Sequence, residues 1–214
     1  MFKHLLNFLS LYNKKINQHM KKILSAAVLA VTIVGFAFTT APKTTTFKVD
    51  TQKSIILWNG KKVTGEHSGT IKLAGGELSL SGTKLAQGSF TIDMTTITST
   101  DGAGARLEGH LKADDFFGVE KFPTANFVIT KVTPAAAGKL SVSGNLTIKG
   151  ITKPISFPAT LAVKGTSLKA IAKGVKVDRT KYDIRYGSKS FFDSIGDKAI
   201  DDEFTLDITL VASK

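Results

Sequence analysis

The sequence predicts an all-β protein, an antiparallel barrel or sandwich broken by one short helix. Three observations carry this. Period-two alternation dominates the chain beyond about residue 42, glycine-bearing turns separate the alternating runs, and Leu107 to Phe127 alone reads as a short helix entering a Phe-rich turn. Many closely spaced strands with short turns are the pattern of a barrel or a sandwich.

The first 41 residues carry five lysines and no acidic residue, and from Met20 onward they follow the order of an export signal. Lys21 and Lys22 precede the uncharged run Ile23 to Phe38, which is shorter than the roughly 20 residues a spanning helix needs. A cleavable signal over 1–41 is therefore expected, with a retained anchor as the alternative. Cleavage after Ala37 or after Ala41 both fit, and Met20 is a candidate true start. The expected location is exported, periplasmic or secreted.

Residues 42–214 have the length of one domain. The chain has no cysteine, which excludes disulfides and a thiolate zinc site. Taking the leader's five lysines from the 29 basic residues leaves 24 against 17 acidic, a charge of +7. Such a balance suits an anionic surface or headgroup, and scattered solvated lysines explain it equally well.

Alternation marks strands at Phe47 to Val49, Ser54 to Trp58, His67 to Leu73, Glu77 to Leu80, Gly88 to Thr95, Ala125 to Val132, Lys139 to Lys149, Ile155 to Val163 and Leu168 to Val177. The last, Phe204 to Val211, is the clearest. Ala74-Gly75-Gly76, Ser81-Gly82 and Ala137-Gly138 read as turns. Leu107 and Leu111, four apart, predict a helix around residues 105–115. A long aromatic loop is expected around 179–200, and a loop that long is more often functional than idle.

The chain offers little chemistry. His67 and His110 are the only histidines past the leader; with Asp114 or Asp115 they make a candidate metal set, His110 and Asp114 sharing a helix face. No HExxH accompanies them, so hydrogen bonding is the expected role. There is no GxSxG elbow, and Asp114-Asp115 and Asp201-Asp202 are sequence neighbours that read as turn and cap residues. Gly102-Ala103-Gly104 lacks the context of a phosphate loop. No catalytic residue, metal, cofactor or nucleic-acid partner is expected.

The aromatics are more telling. Phe116, Phe117, Phe122 and Phe127 gather near the helix end, and Tyr182, Tyr186, Phe191 and Phe192 load the second irregular segment. Some belong to an ordinary core, but loops this rich in Phe suit the ends of a barrel whose interior takes a long apolar ligand. Basic residues at Lys149, Lys153, Arg179, Lys181, Arg185 and Lys189 fit either a headgroup or a membrane surface, or plain solvation. Arg179, beside Asp178, reads as an internal ion pair, structural or at the cavity mouth.

Taken together, FKVDTQKSIILWNGKKVTGEHSG, GSFTIDMTTI, LEGHLKADDFFGVEKFPTANFVI, VSGNLTIKGITKPISF, VDRTKYDIRYG and IGDKAIDDEFTLDITL resemble the YceI-like family of secreted, polyisoprenoid-binding, lipocalin-like barrels, across Phe47 to Ala212. The resemblance implies an extended eight-stranded antiparallel barrel that holds a polyprenyl or quinone-type tail and acts as a carrier or buffer, not an enzyme. Many members carry a His-Ser pair where this chain has Lys53-Ser54. The insertion KYDIRYGSKSFFDSIGDK is similar to that of Bacteroidetes-type members.

On that reading the pocket wall is Trp58, Phe90, Ile92, Met94, Phe116, Phe117, Phe127, Ile129, Phe157 and Phe192, with His67, Arg179 and Tyr182 as headgroup contacts. Alternation does not say which strand face points inward. A long-chain isoprenoid or other amphiphile is the expected partner, with transient contact to an anionic membrane; a homodimer stays open. The competing readings are a barrel filled by its own side chains, a lipid-modifying enzyme using His67 or His110, and an outer-membrane barrel, which the missing aromatic girdles disfavour.

Overall fold

A computed structural model describes residues 43–214. The expected export signal, its cleavage points and the alternative start at Met20 lie outside the described residues.

The chain runs β1 (Thr44–Val49), β2 (Ile55–Lys62), β3 (Gly65–Ser81), β4 (Lys84–Ser99), α1 (Gly104–Lys112), β5 (Thr124–Pro134), β6 (Leu140–Ile148), β7 (Ile151–Lys164), β8 (Ser167–Asp178) and β9 (Ile200–Ser213). All strands belong to one antiparallel sheet that closes on itself. β1 pairs with the far end of β3 and with Ala212 and Ser213, while β2 pairs with the near end of β3 and with Ile200 to Thr209. The two thus fill a single place between β3 and β9, interrupted at Asp50 to Ser54, and the barrel has eight places. Asp50 shapes the break: its carboxylate accepts from the N–H groups of Gln52 and Lys53 and from the Lys53 ammonium.

The expected turn Ala74-Gly75-Gly76 is not formed. β3 runs straight through it, with register shifts between Thr70 and Lys72 and between Leu73 and Gly75. Gly76 serves packing instead. Gly76 lies opposite Phe90, and a Cβ there would stand 2.7 Å from the Phe90 ring. Gly69 does the same for Trp58, and Gly144 for Phe127. A glycine in a strand often marks such a close approach.

Alternation now acquires a direction. Val142, Leu146 and Ile148 of β6 are buried inside, whereas Ser141, Ser143, Asn145 and Thr147 face out. β9 likewise turns Phe204, Leu206, Ile208 and Leu210 in and Thr205, Asp207 and Thr209 out. Apolar inside and polar outside is the reverse of an outer-membrane barrel.

Pairing is incomplete at two seams. β4 and β5 pair only through Ser89 to Asp93 against Thr124 to Val128 and part toward the β3–β4 and β5–β6 turns. β7 pairs with β8 only through Thr160 to Lys164, so Ile151 to Ala159 is an edge on that side. Pro154 and Pro158, four apart in that stretch, cannot donate to a ladder, and such prolines are confined to edges.

One end of the barrel carries the turns at 82–83, 135–139 and 165–166, together with the start of β1 and the end of β9. The other is crossed by α1 and by the segment from Arg179 to Ala199, and is hereafter the closed end. The helix is shorter than expected, because Ala113 is already extended. Asp114 therefore never shares a helix face with His110, whose imidazole instead lies 3.4 Å from Asp115.

Candidate functional site

Inside the barrel lie two chambers of about 110 and 130 Å³. The outer chamber is lined chiefly by β4 to β9 and extends toward the turn end, where Leu85, Leu140 and Leu161 stay half-exposed. The inner chamber lies against the closed end, its floor made by Leu111, Phe116, Phe117 and Arg179. The two share Ile56, Ile92, Leu146 and Leu206, one residue each from β2, β4, β6 and β9. These four form an aliphatic waist where the two chambers of the bore adjoin.

Hollowness explains a feature of the wall. The inward residues Ile155, Phe157, Phe204, Leu206 and Ile208 are only half-buried although they point into the barrel. Side chains in a filled core would meet partners on every side.

Nine of the ten expected wall residues stand on this bore. Phe90, Phe127, Ile129 and Phe157 line the outer chamber, Trp58, Met94, Phe116 and Phe117 the inner one, and Ile92 both. Phe90 stacks on Phe127 at 6.4 Å between ring centroids, and Phe127 meets Phe157 at 5.5 Å. At the floor Phe117 meets Phe116 at 5.3 Å and Phe204 at 6.3 Å. The indole N–H of Trp58 donates to the Thr98 carbonyl at 3.1 Å, which fixes the ring against the wall.

Phe192 is a correction. It sits at 50% exposure in the 183–199 segment, its N–H donating to the Ser188 carbonyl, and it does not reach the bore. Its neighbour Phe191 is also outside, under the Arg185 guanidinium at 4.6 Å.

The headgroup candidates also change role. His67 turns to Asp101, Nδ1 to Oδ2 at 2.7 Å, and lines neither chamber. Asp101 is held well below the usual carboxylate range, first by the Ser99 hydroxyl, then by the Ala103 N–H and His67. Tyr182 is fully buried away from the bore and its hydroxyl has no partner among the described residues. Burial, followed by the nearby Asp178 charge, pushes it up to about 12.

Arg179 does line the inner chamber, yet its donors are largely spent on the backbone. Nε donates to Asp201 O, Nη1 to the carbonyls of Ile184 and Tyr186, and Nη2 to that of Ile200. Its carboxylate partner is Asp202 at 3.8 Å rather than the adjacent Asp178, which caps the following 3₁₀ turn. Its guanidinium also stands 5.7 Å over Phe116. Burial draws its pKa below the ordinary value against the opposing pull of Asp202, Asp178 and Asp201. Arg179 is thus the staple that folds 179–202 onto the barrel. Apart from Trp58, the polar residues of the lining among the described residues are Thr160, Arg179 and Asp201.

The sequence reading missed the waist residues Ile56, Leu146 and Leu206. Nothing in composition separates a waist leucine from a core leucine; only the closure of the barrel brings the four together.

Comparison with known proteins gives the same architecture. A family model described as YceI-like domain matches residues 47–212. A UPF0312 protein of Shewanella denitrificans is 34% identical over 90 residues, 42% of this chain and 47% of that protein, so the match spans about half of the relative's length. One from Vibrio parahaemolyticus is 30% identical over 149 residues, 68% of this chain and 77% of its own. These relatives are proteobacterial, which lends no support to the narrower Bacteroidetes-type likeness.

Among solved structures, BcnA of Burkholderia cenocepacia superposes with a TM-score of 0.64 at 24% identity, covering 77% of this chain and 99% of BcnA. A polyisoprenoid binding domain from Saccharophagus degradans superposes at 0.58 with 14% identity, covering 78% and 97%. At these identities the likeness is one of fold.

Proposed function

The chain belongs to the YceI-like domain family, and on that premise we propose that it binds one long-chain isoprenoid lipid, such as a polyprenyl or quinone-type tail, and serves as an exported carrier or buffer. The observation that carries this is the hollow, almost wholly apolar bore with its waist. A long, flexible, unbranched or methyl-branched chain suits a lining of aliphatic and aromatic side chains such as this. The relative from Saccharophagus degradans whose name states polyisoprenoid binding supports the choice of ligand class. The lysine-rich leader supports export.

Affinity follows from desolvation at roughly 25 cal/mol per Å² of apolar surface, and discrimination among tails is expected to be weak. The reading assigns no catalytic residue. His67 is engaged by Asp101, His110 packs on Tyr186 at 4.5 Å, and neither lines the bore. Thermal unfolding with and without added long-chain isoprenoid tests the proposal: a ligand that binds only the folded state raises the midpoint with concentration. An unchanged midpoint across isoprenoids and quinones would instead favour a barrel with no lipid role.

A further inference from the structure

Charge is divided unevenly over this barrel. From residue 121 to residue 177, through β5, β6, β7 and β8, the chain has nine lysines and neither aspartate nor glutamate. The remaining segments at the turn end, 78–90 and 208–214, are equally free of acidic side chains. Lys84, Lys139, Lys164 and Lys214 stand at the turns and the chain end there, with Lys131 and Lys169 a few residues in. All six are exposed, and none has an ion-pair partner among the described residues. Three lysines of the same wall near the closed end are engaged, Lys121 with Asp114, Lys149 with the Asp114 carbonyl and Lys176 with Glu203, whereas Lys153 is exposed there without an ion-pair partner among the described residues.

The same end carries exposed apolar tips. The β5–β6 turn is Pro134-Ala135-Ala136-Ala137-Gly138, exposed throughout and flanked by Lys131 and Lys139. The β7–β8 hairpin ends with Val163 at 45% exposure beside Lys164. Leu85, Leu140 and Leu161, which line the outer chamber at this end, are half-exposed, and β4 and β5 part here.

We propose that this end docks on an anionic lipid bilayer, the β5–β6 and β7–β8 tips touching the headgroup layer and the lysines binding its charge, so that a lipid tail enters the outer chamber directly from the membrane. Basic clusters beside apolar side chains are how peripheral proteins hold such surfaces. The closed end is the rival, with Tyr186, Phe191 and Phe192 exposed. There Arg185 is paired with Asp183, and Asp193 and Asp197 interleave with Lys189 and Lys198, so the charge cancels.

The proposal rests on the lipid-binding reading, and its test separates the two. The domain 42–214 is mixed with vesicles of phosphatidylcholine alone or with phosphatidylglycerol, and bound protein is sedimented. Binding is expected only with phosphatidylglycerol and is expected to weaken with salt. Lys139→Ala/Lys164→Ala/Lys169→Ala should lower the partition constant about a hundredfold, taking the usual value for each basic residue at such a surface. Lys61→Ala/Lys189→Ala/Lys198→Ala, which removes equal charge from the closed end, should lower it several times less.

Lipid co-purifying with each variant is measured by native mass spectrometry and should be equal in all three proteins. Equal losses of vesicle binding in the two triple variants, or binding to neutral vesicles alone, would overturn the docking end. Vesicle binding that behaves as stated in a protein that never takes up lipid would uphold docking and sink the lipid-binding reading.

Discussion

Leu206→Phe tests the waist. Leu206 is half-buried and faces both chambers, so a larger ring there grows into empty space rather than into packed core. The usual overpacking cost of about 1–3 kcal/mol should therefore be largely absent, and the thermal midpoint should move little. The ligand should feel it strongly. The inner chamber, about 130 Å³, is the larger of the two, and a blocked waist denies it to any tail entering from the turn end.

Losing contact for one five-carbon unit costs about 1.5 kcal/mol at ~0.3 kcal/mol per heavy atom and about 4 kcal/mol at ~0.8 kcal/mol per buried methylene. The expected loss for a long tail is thus roughly tenfold to a thousandfold in Kd. Trp58, the only tryptophan in the sequence, stands on the inner chamber and makes the assay. In the wild type, lengthening the prenyl chain should tighten binding and, past a threshold, change Trp58 emission. In the variant affinity should plateau at a shorter chain with Trp58 unresponsive. An unshifted plateau with an intact Trp58 response would refute the single-bore account.

Three further outcomes follow from the same geometry. Gly76→Val should drive Phe90 off the wall and lower stability by about 1–3 kcal/mol, read from chemical denaturation; an unchanged midpoint would remove the close-approach role of that glycine. Arg179→Leu strips the donors from the carbonyls of Ile184, Tyr186, Ile200 and Asp201, and should cost at least about 3 kcal/mol. Protease cleavage should then concentrate in 183–199, and cleavage elsewhere would contradict the staple. Tyr182→Phe should be neutral or slightly stabilising, because the hydroxyl it removes is buried without a partner among the described residues.

Tyr182 also sets an alkaline limit. Its pKa is raised when folded, so its contribution is complete below about pH 10 and is lost as pH climbs toward about 12. The wild type should lose stability over that window by more than Tyr182→Phe does, and parallel pH profiles would contradict this.

Much of the barrel was legible because alternation is a local property. Phe90, Ile92 and Met94 share a face whichever way the sheet curls, and the pattern of β9 needs only its own residues. What alternation lacks is the partner strand. Gly75-Gly76 has turn composition, and only the Phe90 ring across the ladder shows why a continuous strand carries a glycine at position 76.

Phe192 and Phe117 have the same chemistry and similar surroundings in sequence. They part because the Phe117 N–H is tied to the Leu111 carbonyl at the barrel floor, whereas Phe192 hangs on the Ser188 carbonyl outside it. Arg179 was assigned to Asp178 by adjacency, but a strand end turns consecutive side chains apart and chain reversal brings Asp202 instead. The lysine-only end was not legible because Lys84 and Lys214 lie far from the acid-free run 121–177, and only the turns of the barrel bring them to one end with Lys131, Lys139, Lys164 and Lys169.

The central claim is that the bore holds an isoprenoid tail. Native mass spectrometry with organic extraction tests it most directly, on residues 42–214 purified without detergent from a lipid-rich host. The account predicts a discrete adduct that extracts as one isoprenoid or quinone per domain. Bare protein that stays bare after incubation with polyprenols and quinones would contradict it.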